Sequence, residues 1–203
     1  MSGCCDHDDI DPAALQVNAF RRVLWIVLVI NGIMFAAEFS SAFFANSVAL
    51  QADALDFLGD TLTYAVTLLA IGYSLKIRAK VALFKGASLG LLGLWVYGQM
   101  FFYLISGKIP SYEIMGMMGI IAFLANLISA LLLYRYRAGD SNMQSVWLCS
   151  RNDAIGNLAI IVAASGVFAT GSAWPDFIVA TIMATLSVTA SYRIIKLALQ
   201  EIT

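Results

Sequence analysis

The sequence predicts an all-α membrane protein with six transmembrane helices and both termini in the cytoplasm. Of its 203 residues, 61% are hydrophobic and only 12% are charged, and the mean hydropathy is +0.82. An ordinary soluble domain carries about twice that fraction of charged residues. Several apolar runs also exceed the roughly 20 residues that a helix needs to cross the hydrocarbon core. These observations exclude a soluble helical domain.

The six spans follow from the apolar runs and from the charges, glycines and prolines that separate them. We predict them at about residues 22–45, 48–75, 80–106, 112–135, 144–170 and 175–198. The first break, the segment FANS, is so short that the first two spans must form a tight helical hairpin. The second break is the basic segment SLKIRAK.

The basic residues predict the orientation of the spans. Lys108 is the only one expected on one side of the membrane, whereas ten lie at span ends on the other side. These ten are Arg21, Arg22, Lys76, Arg78, Lys80, Lys85, Arg135, Arg137, Arg193 and Lys196. The positive-inside rule therefore places both termini in the cytoplasm. The compact chain favours a bacterial plasma (inner) membrane, and we expect no nucleic-acid partner.

Three aspartates interrupt the second span. Asp56 and Asp60 are four residues apart, so their side chains lie on one face of a helix. Asp53 lies nearer the outer interface and is an accessory candidate, either solvated or hydrogen-bonded at an exit. An ionised carboxylate near the bilayer centre costs at least about 2.5 kcal/mol. A cation, bound protons or a water-filled cavity must offset that cost.

The fifth span repeats this spacing with Cys149 and Asp153, and Asn157 follows one turn later as an accessory candidate. Because the two spans run in opposite directions, we expect Asp60 level with Cys149 and Asp56 level with Asp153. Two such pairs supply four ligands, the number that a tetrahedral divalent metal takes. Three carboxylates and a thiol suit zinc, and the sulfur favours cadmium over magnesium or calcium. Without metal the carboxylates would share protons, so metal and protons compete for one place.

The N-terminal segment CCDHDD contains a second group of metal-binding side chains, Cys4, Cys5 and His7. It lies in residues 1–20, which we predict to be a polar cytoplasmic tail ahead of a transmembrane domain over residues 21–203. The cluster can bind a soft or borderline metal. The tail is therefore either a metal-capture segment or a solvated terminus.

Two other features each have two interpretations. Glu38, Asn31 and Asn126 are polar residues inside spans, where they either form interhelical hydrogen bonds or contact a substrate. Gly86 and Gly90 form a small-xxx-small pair in span three. That pair indicates either an internal helix contact or a homodimer interface.

With these residues identified, the chain resembles the cation diffusion facilitator family of divalent metal/proton antiporters. Asn31 and Glu38, followed by NSVALQADALDFLGD, look like that family's first hairpin, and Asp176 in WPDF resembles the Asp that opens its sixth span. The resemblance implies six membrane helices with cytoplasmic termini. It also implies that Asp56, Asp60 and Asp153 occupy metal-ligand positions.

The chain departs from the family pattern in three places. Cys149 stands where the family usually has His or Asp, and KIRAKVALFKG replaces the His- and Gly-containing loop between spans two and three. After span six we find only LALQEIT, so we expect a truncated form without the family's cytoplasmic ferredoxin-like domain.

These observations predict efflux of zinc, cadmium or a similar ion in exchange for protons by alternating access, with no permanent cofactor. One alternative is a membrane metal receptor or regulatory subunit that binds the ion without transporting it. Another is an intramembrane aspartyl protease, because FLGD contains the Gly-Asp of such sites. Phe57 stands where that site needs glycine, however, and Asn152 precedes Asp153 where it needs tyrosine. We therefore expect no enzymatic activity.

Overall fold

The computed structural model describes residues 12–69, 75–138 and 141–202. Within these ranges the chain forms six α-helices and one 3₁₀ turn and contains no strand. The helices are α1 (Pro12–Ala45), α2 (Val48–Leu69), α3 (Leu75–Ser106), α4 (Tyr112–Leu133), α5 (Ser141–Thr170) and α6 (Trp174–Ile202), and the 3₁₀ turn is Tyr134–Tyr136. Only the backbone is described for residues 12–17, 67, 69, 75–79, 81–82, 85, 141–146, 148–149, 193, 197 and 201–202.

The predicted all-α membrane fold with six spans is confirmed. Five described segments are long and apolar enough to cross a membrane, namely Asn18–Ala45, Gly86–Ser106, Tyr112–Tyr136, Ser150–Thr170 and Trp174–Gln200. The remaining helix, α2, has 22 residues, which corresponds to a length of about 33 Å, but it contains three aspartates. Large apolar side chains on the other helices point outward, among them Phe44, Leu91 and Ile105, as lipid contact requires.

Two helices extend beyond the predicted spans. Residues 75–80 of the SLKIRAK segment belong to α3, and α1 begins at Pro12, ahead of the apolar run. Proline is common at the first position of a helix because its missing N–H would have no partner there. Apolar runs report where a chain enters the bilayer, whereas a helix continues past that point through polar residues.

The helices alternate in direction, so the bundle has two ends. The basic end carries Arg21, Arg22, Arg135 and Arg137. The opposite end carries the short connections at residues 46–47, 107–111 and 171–173. Which end faces the cytoplasm stays a prediction from the positive-inside rule.

The second helix is the centre of the bundle. Every residue from 48 to 55 is buried, and α2 contacts the other five helices. Its Leu50, Leu55 and Phe57 belong to an apolar core together with Met115 of α4 and Ile160 of α5. The helix with the most acidic groups is therefore the one most shielded from lipid.

A carboxylate from α6 caps the start of α2. Asp176, which is fully buried, accepts hydrogen bonds from the Ser47 hydroxyl at 2.6 Å and from the backbone N–H groups of Val48 at 2.9 Å and Ala49 at 3.2 Å. The first N–H groups of a helix have no partner within it, and a negative charge is favourable at this end of the helix dipole. These hydrogen bonds hold the start of α6 against the α1–α2 hairpin at the end of the bundle opposite the basic end.

Glycines allow α3 and α6 to pack closely. A Cβ atom on Gly90 would lie 2.6 Å from the Ser191 hydroxyl oxygen, and one on Gly93 would lie 2.9 Å from Val188. The Ser191 hydroxyl donates a 2.6 Å hydrogen bond to the carbonyl of Gly86. Of the two interpretations of these glycines, the structure supports the internal contact.

Replacing Gly90 with alanine should destabilise the bundle. The added methyl group would displace Ser191 or push α3 away from α6, and overpacking of this kind costs about 1–3 kcal/mol. The control is Gly98→Ala on the same helix, where a Cβ meets nothing within 4 Å. Thermal unfolding in detergent should show a lower midpoint for Gly90→Ala only. Equal midpoints for the two variants would contradict the close α3–α6 contact.

Candidate metal site

Three of the four predicted ligands come together between α2, α5 and α6. Asp56 and Asp60 of α2 and Asp153 of α5 line one cavity of about 300 Å³. Asp153 is a neighbour of both Asp60 and Asp56 in this cavity. Three acidic groups from two helices thus surround one space inside the bundle.

Tyr64 links α2 to α5 beside the acidic groups. Its hydroxyl group donates to Asp60 and lies 3.1 Å from the hydroxyl group of Ser150 on α5. Ser150 follows Cys149, the residue that we expected level with Asp60. Asp153 lines one cavity with Asp60 and two cavities with Asp56, so the expected level of Asp153 with Asp56 stays a prediction.

The remaining predicted ligands lie beyond what the structure describes. Cys149 is in α5 one turn before Asp153, but its side chain is not among the described ones. Cys4, Cys5 and His7 lie outside the described residues altogether. Among the described side chains, no three Asp, Glu, His or Cys groups are arranged to hold an ion in this conformation.

Hydroxyl groups orient two of the carboxylates. The Tyr64 hydroxyl donates a hydrogen bond to Asp60, and the Ser187 hydroxyl of α6 donates one to Asp56 at 3.3 Å. Tyr64 is fully buried, and Ser187 is almost so. Such outer partners fix the direction of a ligand and tune its affinity. Neither residue was predicted, although Tyr64 follows Asp60 by four residues and so lies on the same face of α2.

Two cavities meet at the candidate site. The larger one extends past Thr63 toward the basic end. A second cavity of about 190 Å³ extends past Asp53 and Val179 toward the opposite end. Asp56 and Asp153 line both cavities. These two carboxylates therefore lie between the two cavities, one of which extends toward each end of the bundle.

The other polar residues within the spans are buried as well. Asp53 is 1% exposed, and its carboxyl group is a neighbour of that of Glu38 on α1. Asn31 donates to the carbonyl of Val27 in its own helix. Asn157 is fully buried, and neither atom of its amide has a partner among the described residues.

The fold and the site define a multi-pass membrane protein whose central helix presents carboxylates to cavities inside the membrane-spanning region. Residues 24–203 match the cation efflux transmembrane domain, and the chain belongs to this family. The match confirms the resemblance that the spacing of Asn31, Glu38 and the aspartates indicated.

Two curated relatives are named for the same process. The chain is 27% identical over 175 residues to the metal cation efflux system protein CzcD of Cupriavidus metallidurans. It is equally similar to the cation efflux system protein CzcD of Alcaligenes sp. strain CT14. Each alignment covers 80% of this chain and 55% of the relative. The chain thus spans about half the length of the curated relatives it matches.

Removing the Tyr64 hydroxyl should weaken the binding of a divalent cation. Tyr64→Phe leaves Asp60 and Ser150 without this partner, and losing an outer-shell hydrogen bond typically costs about 10–100-fold in metal affinity. The exposed Tyr192 of α6 provides the control, Tyr192→Phe. Calorimetric titration of the solubilised protein with Cd²⁺ would measure both. If Tyr64→Phe bound cadmium as the wild type does, Tyr64 would not orient a ligand.

Proposed function

We propose that the chain exports a divalent heavy-metal cation, zinc or cadmium, from the cytoplasm in exchange for protons. The observation that carries this proposal is the position of Asp56 and Asp153 between two cavities that extend toward opposite ends of the bundle. Alternating access requires a site that each side of the membrane can reach in turn. Membership of the cation efflux family supports the same function.

The metal would bind to Asp56, Asp60 and Asp153, with Cys149 as the fourth ligand. Like charges this close repel each other, and a membrane interior screens them poorly. A divalent cation between them would offset this repulsion. Carboxylate and thiolate ligands in a four-coordinate set favour zinc or cadmium over magnesium and calcium. The names of the two relatives support a metal cation as the substrate.

Protons would bind to the same carboxylates when the metal leaves. A carboxylate only accepts hydrogen bonds, so neighbouring acidic groups such as Asp60 and Asp153 can bond to each other only when one of them carries a proton. Metal ligation requires deprotonated ligands. Each metal ion that binds would therefore release protons, and protons arriving from the other side would displace the metal.

The positive-inside rule assigns each cavity to one side of the membrane. If the basic end faces the cytoplasm, the larger cavity leads from the cytoplasm to Asp60 and the smaller one leads outward past Asp53. Metal would enter by the first route and leave by the second.

Neutralising either of the paired aspartates should abolish transport. In proteoliposomes with an imposed pH gradient, Asp60→Asn and Asp153→Asn should each lose more Zn²⁺ and Cd²⁺ flux than the roughly 10–100-fold typical of an outer-shell change. Glu113→Gln provides the control because Glu113 is exposed at the start of α4. Full flux in both aspartate variants would contradict the assigned site.

The same assay separates the alternative functions. Tight metal binding by the wild type without flux would favour the receptor or regulatory subunit. An aspartyl protease would also bring two aspartates together, as Asp60 and Asp153 are here. Neither binding nor flux, together with cleavage of a membrane peptide by the purified protein, would favour the protease.

Replacing Cys149 tests whether the metal has a sulfur ligand. Cys149→Ser keeps the size of the side chain but replaces soft sulfur with hard oxygen, so cadmium flux should fall more than zinc flux. Met100→Leu provides the control, because it removes a sulfur that contacts Thr181 at the α3–α6 interface. An unchanged ratio of cadmium to zinc flux in Cys149→Ser would show that the sulfur is not a ligand.

A further inference from the structure

A second pair of carboxyl groups lies in the bundle, one turn of α2 away from the candidate metal ligands. It consists of Glu38 on α1, which is fully buried, and Asp53 on α2, which is 1% exposed. The two carboxyl groups are neighbours across the contact between α1 and α2. Among the described residues, no N–H or O–H group donates to either oxygen of Glu38 or to Oδ2 of Asp53.

Burial without a hydrogen-bond donor favours a bound proton at this pair. Two ionised carboxylates offer only acceptors, whereas a protonated carboxyl group adds one O–H donor. A proton held between Glu38 and Asp53 therefore creates a hydrogen bond and removes one of two charges from an environment where each costs at least about 2.5 kcal/mol.

A metal ion fits the pair less well than a proton does. Divalent metals in proteins take four or more ligands. The pair supplies two acidic side chains, whereas the candidate metal site supplies three, together with the predicted ligand Cys149.

We propose that Glu38 and Asp53 form a proton-binding site that is separate from the metal site and exchanges its proton through the cavity at the opposite end. Asp53 lines that cavity together with Asp56 and Asp153. Glu38 contacts Asp53 from α1, so a proton that reaches Asp53 can be shared with Glu38. The role of this site in antiport rests on the proposed function, whereas proton binding by the pair does not.

Few other charged groups face the pair. Asp56 is the neighbouring acid on α2, and Asp153 of α5 lies across the cavity. Asp176 of α6 is engaged by the first residues of α2, and Glu113 of α4 is exposed. Tyr97 of α3 bonds to the hydroxyl group of Thr185. No described cation lies beside the pair to take the place of the proton.

Infrared spectroscopy of the protein in membranes tests proton binding directly. At neutral pH the wild type should show the carbonyl stretch of protonated carboxyl groups, with one contribution from Asp60 and Asp153 and another from Glu38 and Asp53. Adding Cd²⁺ should remove the first contribution. The second contribution should remain in the wild type and disappear in Glu38→Gln. The Gln amide can donate to Asp53 and preserve the hydrogen bond without a proton. Asp53→Asn provides a second variant with the same expected loss.

The same variants test proton exchange by transport in proteoliposomes. Glu38→Gln should bind Cd²⁺ with wild-type affinity but lose proton-driven metal flux, whereas Glu113→Gln should keep both. The proposal is overturned if the wild type has no cadmium-insensitive carboxyl signal, or if that signal persists in both variants. Wild-type flux in Glu38→Gln, with the same dependence on the pH gradient, would overturn the exchange. A wild type that shows the signal but no flux would support the proton site and contradict the proposed function.

Discussion

The need to keep carboxyl groups away from lipid determines how this bundle is arranged. Lipid offers no hydrogen-bond partners, so an acidic group in the hydrocarbon region must face protein, water or a counter-ion. Three such groups lie on α2, and that helix is accordingly enclosed by the other five. Glu38 on α1 meets the first of them, and Asp153 on α5 meets the last. The other helices carry the apolar surface, as the outward-facing side chains show.

The candidate site lies inside an apolar core that all six helices share. That core includes Val96 of α3 and Phe177 of α6 as well as residues of the other four helices. The glycines of α3 join that helix closely to α6. Both cavities are lined by α2 and α5 on one side and by α6 on the other. A change in the width of either cavity therefore requires core side chains to repack where α6 meets α2 and α5.

Much of this could be predicted from local sequence, because spans depend on apolar runs and ligand faces depend on helical spacing. The grouping of Asp56, Asp60 and Asp153 followed from two four-residue spacings. The contact of Tyr64 with Ser150 did not, since it depends on how two helices cross. The hydrogen bond between Ser187 and Asp56 joins residues 131 positions apart, and no spacing rule connects them. Glu38 was identified as a polar residue inside a span, but its partner could be known only from the packing of α1 on α2.

The carboxylate of Asp176 has a consequence for how the helices can separate. It holds the start of α6 against the start of α2 through three hydrogen bonds. If α6 tilts while these bonds are kept, it rotates about this contact. Ile194, at the mouth of the larger cavity, lies 18 residues from Asp176, about 27 Å along the helix. Val179, in the smaller cavity, lies only about 5 Å from it. A given angle of tilt therefore displaces Ile194 about six times as far as Val179, so the larger cavity would change in width more than the smaller one.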